Sequence, residues 1–204
     1  MTDGNRGISN EFLMPSEREL MYYLLRYGEY DLVFDENLLY GNEQKETVTV
    51  FQYVAAQLEE DSLVFANDIY RKMFGLYAAE SAAVNRDGGD AAQIQERIQR
   101  AFINNQDENV SREALELIVQ KYNITIEEFN KALTPEDNIL GRLIPKAVVM
   151  YKARIVDWEY NKTSSALGEA QHTGADFDRQ MELMQYLQNL MKLIKILVEE
   201  VSIF

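Results

Sequence analysis

Large apolar residues recur at spacings of three and four over most of this chain, with polar residues between them, which is the period of helices that bury one face. Leu20, Tyr23, Leu24 and Tyr27 form the first such run, after Pro15 and a capping box of Ser16 and Glu19, and it stops at Gly28. Thr49 and Gln52 repeat the capping box ahead of Val50, Tyr53, Val54 and Leu58. Asn67 precedes a third run with Tyr70, Met73, Phe74 and Tyr77. Beyond the loop at Gly88-Gly89, Asp90 opens a run with Ile94, Ile98, Ala101 and Phe102. Ser111 opens another with Leu115, Ile118, Val119 and Tyr122, closed by Asn123. Thr125 with Glu128 starts a short helix ending near Leu133. Thr134-Pro135 then heads a long helical run to about Glu169. Pro145 lies inside that run, so a kink is expected there, or two helices meeting at Leu143-Ile144. One stretch breaks the period. Thr47-Val48-Thr49-Val50 alternates opposite Leu32 to Phe34 across a Gly41-Asn42 turn, which leaves room for a small β-hairpin near residues 31–50.

The carboxy-terminal stretch 177–204 carries more apolar surface than the segment before it can cover. Met184, Leu187, Met191, Ile194, Val198 and Val201 alternate spacings of three and four, the signature of a helix packed along a seam. Leu183, Leu190, Leu197 and Phe204 make a second row, and Leu193 and Ile196 widen the face beyond what one antiparallel neighbour buries. The preceding helix has Leu140, Leu143, Ile144, Val148, Tyr151 and Ile155 for a core. From Lys162 to Gln171, however, only Leu167 is large and apolar. In an antiparallel hairpin that sparse stretch faces Phe177, Met181, Met184 and Leu187, so the tip is underfilled. Each large side chain left wet forgoes about 1.5–3 kcal/mol. The expected architecture is all-α: a flexible segment over 1–15, a multi-helix bundle over 16–155 that runs into a long kinked helix, and a C-terminal helical hairpin over 156–204.

Charge narrows the partner. The 34 acidic and 20 basic residues leave a net charge of −14, and basic residues occur at most as the pair Arg71-Lys72, so direct nucleic-acid binding is disfavoured. An acidic surface favours a basic or mixed-charge protein partner. There are no cysteines, which excludes disulfides and thiolate metal sites. No stretch reaches the ~20 apolar residues of a membrane span, and 1–15 lacks the apolar core of a secretion signal. The sequence reads as a soluble cytoplasmic protein.

Candidate chemistry is sparse. His172 follows Glu169 at the Glu-x-x-His spacing of di-iron bundles, but those sites take two such motifs and this chain has one histidine. Asp176-Phe-Asp178 matches a bare Asp-x-Asp metal pattern, though Asp176 also suits a helix cap. The acidic pairs Glu59-Glu60 and Glu199-Glu200 read as solvated. Ser111 to Leu133 resembles two helices around a turn, loosely a helix-turn-helix, with only Arg112, Lys121 and Lys131 as basic content against four glutamates. Trp158 suits an interface anchor or the interior of the hairpin. No phosphate loop, dinucleotide fingerprint or nucleophile elbow is present. The residues therefore indicate no catalytic, cofactor or metal site, the rival being a small helical metal protein or enzyme built on Glu169 and His172.

Several segments resemble the carboxy-terminal region of bacterial DNA primases: Ser16-Glu-Arg-Glu-Leu-Met-Tyr-Tyr-Leu-Leu-Arg-Tyr-Gly28, Val50-Phe-Gln-Tyr-Val-Ala-Ala-Gln-Leu-Glu-Glu-Asp-Ser-Leu-Val-Phe65 and Asn67-Asp-Ile-Tyr-Arg-Lys-Met-Phe74. It continues through Phe102-Ile-Asn-Asn-Gln-Asp-Glu-Asn-Val-Ser111 and Leu143-Ile-Pro-Lys-Ala-Val-Val-Met-Tyr-Lys152, and spans roughly Ser16 to Val201. These are distributed core and turn patterns rather than a catalytic signature. Met1 to Pro15 and Thr163 to Gly174 depart from them. The resemblance implies a helical bundle similar to the amino-terminal domain of the replicative DNA helicase, followed by a hairpin that docks on that hexameric helicase within the primosome. The family's zinc-binding and polymerase regions have no counterpart here, so RNA priming is implied for a longer parent protein. On this reading the docking residues are Met181, Met184, Leu187, Met191, Ile194 and Val198, with Lys192 and Lys195 at a polar rim. A homodimer formed through the terminal helix is the competing use of the same face.

Overall fold

A computed structural model describes residues 10–32, 48–83, 90–119, 139–174 and 176–203, with the side chains of residues 10 and 200–203 outside that description. Seven helices run through them: α1 (Asn10–Tyr27), α2 (Val50–Glu60), α3 (Asp68–Ala83), α4 (Ala91–Ile103), α5 (Glu108–Val119), α6 (Leu140–His172) and α7 (Phe177–Ile203). The fold is all-α, with no strand among the described residues. The chain divides into two compact units, 1–145 and 146–204, so the boundary falls ten residues before the expected one and inside α6. Pro145 lies within α6, which is continuous rather than two helices meeting at Leu143-Ile144. The short helix expected at 125–133 and the Pro135 start lie outside the described residues.

In the first unit α1 is the central helix, packed against α2, α3, α4 and α5. Its sequence dictates this: Leu20, Met21, Leu24 and Leu25 are all fully buried, so apolar surface faces more than one neighbour. The helix begins six residues before the expected Ser16. Leu13 is fully buried and carries the apolar face back across Pro15, which removes a single bond near the helix start. Ser16 is consequently a buried helical residue and not a cap. Glu17, also fully buried, instead caps a different helix: its carboxylate accepts the backbone N–H groups of Ala66 and Asn67 (3.0 Å for Asn67), just ahead of α3. Asn67 then accepts the N–H groups of Ile69 and Tyr70 at 2.8 and 3.3 Å, as its position in the sequence predicts.

The capping box at α2 is present in full, with Thr49 Oγ1 accepting from Gln52 N at 3.2 Å and Gln52 Oε1 accepting from Thr49 N at 2.9 Å. The same helix ends in a Schellman pair, Leu63 N to Leu58 O at 2.8 Å and Ser62 N to Glu59 O at 3.0 Å, with Ser62 at φ 54°. Asp31 and Thr49 form a single antiparallel bridge, flanked by Leu32 N to Val48 O and Val50 N to Tyr30 O. This isolated bridge is all that is described of the expected hairpin; 33–47, with the Gly41-Asn42 turn, lie outside the described residues.

α5 departs from expectation in start and face. Asp107 is the cap, accepting Asn109 N at 3.0 Å, so the helix begins before Ser111 and buries Val110, Ala114 and Leu117, while Leu115 and Val119 are exposed. The Lys72 ammonium bonded to Asp107, followed by the Asn109 N–H, holds that carboxyl below the usual range. On the neighbouring surface Glu113 accepts from Arg18 Nε at 3.1 Å and from the Tyr70 hydroxyl at 2.9 Å. Burial first, and the Glu113 carboxylate second, push the Tyr70 phenol well above its ordinary pKa.

The C-terminal end of α1 is held by a buried amide. Gln95 Nε2 donates to Leu24 O (3.1 Å) and Leu25 O (2.7 Å), while its Oε1 accepts from Glu29 N (2.9 Å) and from the Tyr77 hydroxyl (3.0 Å). Gly28 is required beside it. A Cβ there would strike the Tyr77 hydroxyl and lie 2.6 Å from Leu24 O, whereas the only positive-φ glycine among the described residues is Gly174. Close approach, and not a left-handed cap, explains Gly28. Gly28→Ala is therefore expected to destabilise the protein by about 2–4 kcal/mol, since backbone cannot yield and the Tyr77 bonds must shift. Urea unfolding measures it, and a loss within ~0.5 kcal/mol would show that the ring moves freely.

Candidate functional site

α6 from residue 146 and α7 form the second unit, joined at Thr173-Gly174. There Thr173 donates both N–H (2.9 Å) and hydroxyl (2.8 Å) to Glu169 O, and Gly174 takes φ 67°. Burial first and Glu159 second raise the Tyr186 phenol pKa. On α6 the buried positions in this stretch are small, Thr163 and Ala170. The sparse stretch of the sequence thus buries only small side chains.

On α7 one row, Leu183, Leu190 and Leu197, is buried, with Leu187 and Ile194 half-buried beside it. The expected seam of Met184, Leu187, Met191, Ile194 and Val198 is displaced by this. The five do not share one environment: Leu187 and Ile194 flank the buried row, while Met184 (44% exposed), Met191 (57%) and Val198 (56%) face solvent. The physical reason is width. At about 100° per residue the leucine row and its neighbours cover an ~80° strip, and a narrow partner helix reaches no further round. Val201 and Phe204 lie outside the described side chains.

Two apolar flanks remain on either side of the strip. One holds Phe177 (70% exposed), Met181, Met184, Met191 and Val198; the other holds Tyr186, Leu193 and Ile196. The predicted docking residues Met181, Met184, Met191 and Val198 are therefore brought together on one exposed flank. Lys195 stands within it, one turn from Met191, and reaches Glu199 only at 3.8 Å. Lys192 is exposed but lies about 100° round from Met191, further from the leucine row than a rim position. The Tyr186 flank was the feature least visible beforehand. Its signal was Leu193 and Ile196 falling off the leucine heptad while remaining apolar.

The other candidates do not assemble. His172 is exposed, and among the described residues no group of three or more histidine, cysteine or acidic side chains is placed to hold a metal ion. Asp176 bonds Gln180 N through its backbone carbonyl at 3.2 Å. Trp158 is half-buried on α6 with the Lys162 ammonium 4.8 Å from its ring centre. The turn and second helix of the supposed helix-turn-helix lie outside the described residues. No described helix is long and apolar enough to cross a membrane.

A family model described as a domain of unknown function, DUF8430, matches residues 9–202. The chain belongs to the DUF8430 family. That match spans both compact units and begins within a residue of α1, so the bundle and the hairpin with its exposed flanks are together the DUF8430 domain. No curated protein and no solved structure matches the chain.

Proposed function

We propose that this DUF8430 chain is a non-catalytic, cytoplasmic interaction module of a bacterial DNA primase, which docks on the amino-terminal domain of the hexameric replicative helicase during primer synthesis. The observation that carries the docking part is the exposed row Phe177, Met181, Met184, Met191 and Val198 on a helix already anchored by leucines. Methionines repack readily against a partner's surface, and an exposed apolar flank along a helix is the form that helix-in-groove recognition takes. The identity of the partner rests on the sequence resemblance to primase carboxy-terminal regions. A contact that must release for priming to recur should be modest, with a dissociation constant of about 1 μM or weaker.

The test is direct titration of the full chain into the cognate helicase hexamer, with analytical ultracentrifugation of the chain alone alongside. Saturable binding by a monomeric chain supports the reading. No complex at tens of micromolar concentration removes the helicase, and a tight homodimer of the free chain would assign the flank to self-association instead.

A further inference from the structure

Chain-wide charge and local charge disagree at the methionine flank. Across the whole sequence acidic residues exceed basic ones by fourteen, yet from Leu183 to Val198 the only charged residues are Lys192 and Lys195. The two flanks of α7 also differ from each other. Glu159 acts on Tyr186 and Glu182 precedes it by one turn, so the Tyr186 flank is bordered by carboxylates alone, while the methionine flank holds Lys195 with Glu199 beside it. Lys195 forms an i,i+4 ion pair with Glu199 at 3.8 Å, but both side chains are exposed (78% and 66%), so the pair is weak and the ammonium is free to exchange partners. It also stands N-terminal to that glutamate, the weaker orientation for such a pair. Among the described residues no carboxylate lies within ion-pair distance of Lys192. Charges beyond a Debye length, ~8 Å at physiological salt, are largely screened, so a docked helix senses Lys192, Lys195 and the adjoining Glu199, two positive charges against one negative, more than the acidic surplus of the rest of the chain.

We infer that the methionine flank of α7 receives an apolar helix bordered by carboxylates, with Lys195 as the principal contact and Lys192 a lesser one. This rests on the docking reading above and names the partner's chemistry. It reverses what the overall net charge suggests. The apolar row supplies contact area, and the lysine selects between helices of similar apolar face by the sign of their edges.

The test uses the full chain and two synthetic helical peptides with identical leucine-rich faces, one edged by glutamates and one by lysines. At low ionic strength the glutamate-edged peptide should bind at least 5-fold tighter, and the gap should shrink as salt is raised. Lys195→Glu should reverse the preference, and Lys192→Glu should only reduce it, with the helical circular dichroism of both variants unchanged. Equal affinities, a preference for the lysine-edged peptide, no binding of either peptide, or a preference indifferent to Lys195→Glu each overturn the inference. The helicase titration separates this from the partner's identity. A helicase that binds with no dependence on Lys195 sinks the charge rule alone, and peptide selectivity without helicase binding leaves the charge rule standing.

Discussion

Replacing Gln95 by leucine is expected to destabilise the first unit on the order of 3–5 kcal/mol, a large share of the 5–15 kcal/mol that holds a typical domain together. The side chain is fully enclosed and makes four hydrogen bonds, each to a partner that differs in what it can fall back on. Leu24 O retains the Gly28 N–H at 2.9 Å, and Leu25 O retains Gln99 Nε2 at 2.7 Å. Tyr77 can turn its proton to Glu29 Oε1, a longer 3.4 Å contact. The Glu29 N–H loses its 2.9 Å bond to Gln95 Oε1 inside a buried site, where breaking a bond to a backbone amide costs about 1–3 kcal/mol. The remaining bonds contribute roughly 0.5–1.5 kcal/mol each. Gln99→Leu is the matched control: it forfeits one bond to a carbonyl that Gln95 still satisfies, so about 1 kcal/mol is expected. Chemical denaturation of both variants checks the ranking. A Gln95→Leu loss no greater than that of Gln99→Leu would mean that water replaces the amide and that the end of α1 is not held as described.

That hub also shows where sequence reasoning stops. The apolar period located α1 to α4, and Thr49-Gln52 and Asn67 were legible as caps because their bonds are local, within three residues of the helix start. Gln95 was not legible. On the wheel of α4 it lies beside Ile94 and Ile98 as an ordinary boundary residue, and only the arrival of Tyr77 and the end of α1 from elsewhere in the chain makes it a core residue. Glu17 escaped for the same reason, since the amides that it satisfies lie about fifty residues away. Gly28 was located correctly as the end of a helix but for a different cause, the close approach of Tyr77. Ser16 and Ser111 were both misplaced as caps. A serine near a predicted start competes with any residue further upstream whose burial extends the helix, and Leu13 and Val110 win that competition.

At the hairpin the composition foretold exposed apolar surface, but the periodicity alone could not say which of two interleaved rows is packed. Met184-Met191-Val198 and Leu183-Leu190-Leu197 have the same heptad spacing and sit one residue apart. The choice shows only in the burial: Leu183, Leu190 and Leu197 are enclosed together with the small Thr163 and Ala170 of α6, and the methionines are left exposed. The adjacent residues Leu190 and Met191 turn that choice into an experiment.

Leu190→Glu and Met191→Glu, one position apart, are expected to have opposite consequences. Leu190 is buried, so a carboxylate there must be desolvated or must pry α7 from α6. The hairpin should lose several kcal/mol of stability, and its helical signal with it. Met191 is 57% exposed, and a glutamate there stays in water in the free chain, so unfolding should shift by no more than about 0.5 kcal/mol. Partner binding is where Met191→Glu should act. A charge carried into the centre of an apolar contact typically costs about 3 kcal/mol or more, which corresponds to a loss of more than ~100-fold in affinity for the proposed helicase partner. Measured together, thermal unfolding and titration of the two variants separate a packed row from a docking row. If Met191→Glu weakens the fold as much as it weakens the complex, then Met191 belongs to the core in solution. If it leaves the complex intact, the partner sits elsewhere, and the Tyr186 flank becomes the surface to probe with Leu193→Glu.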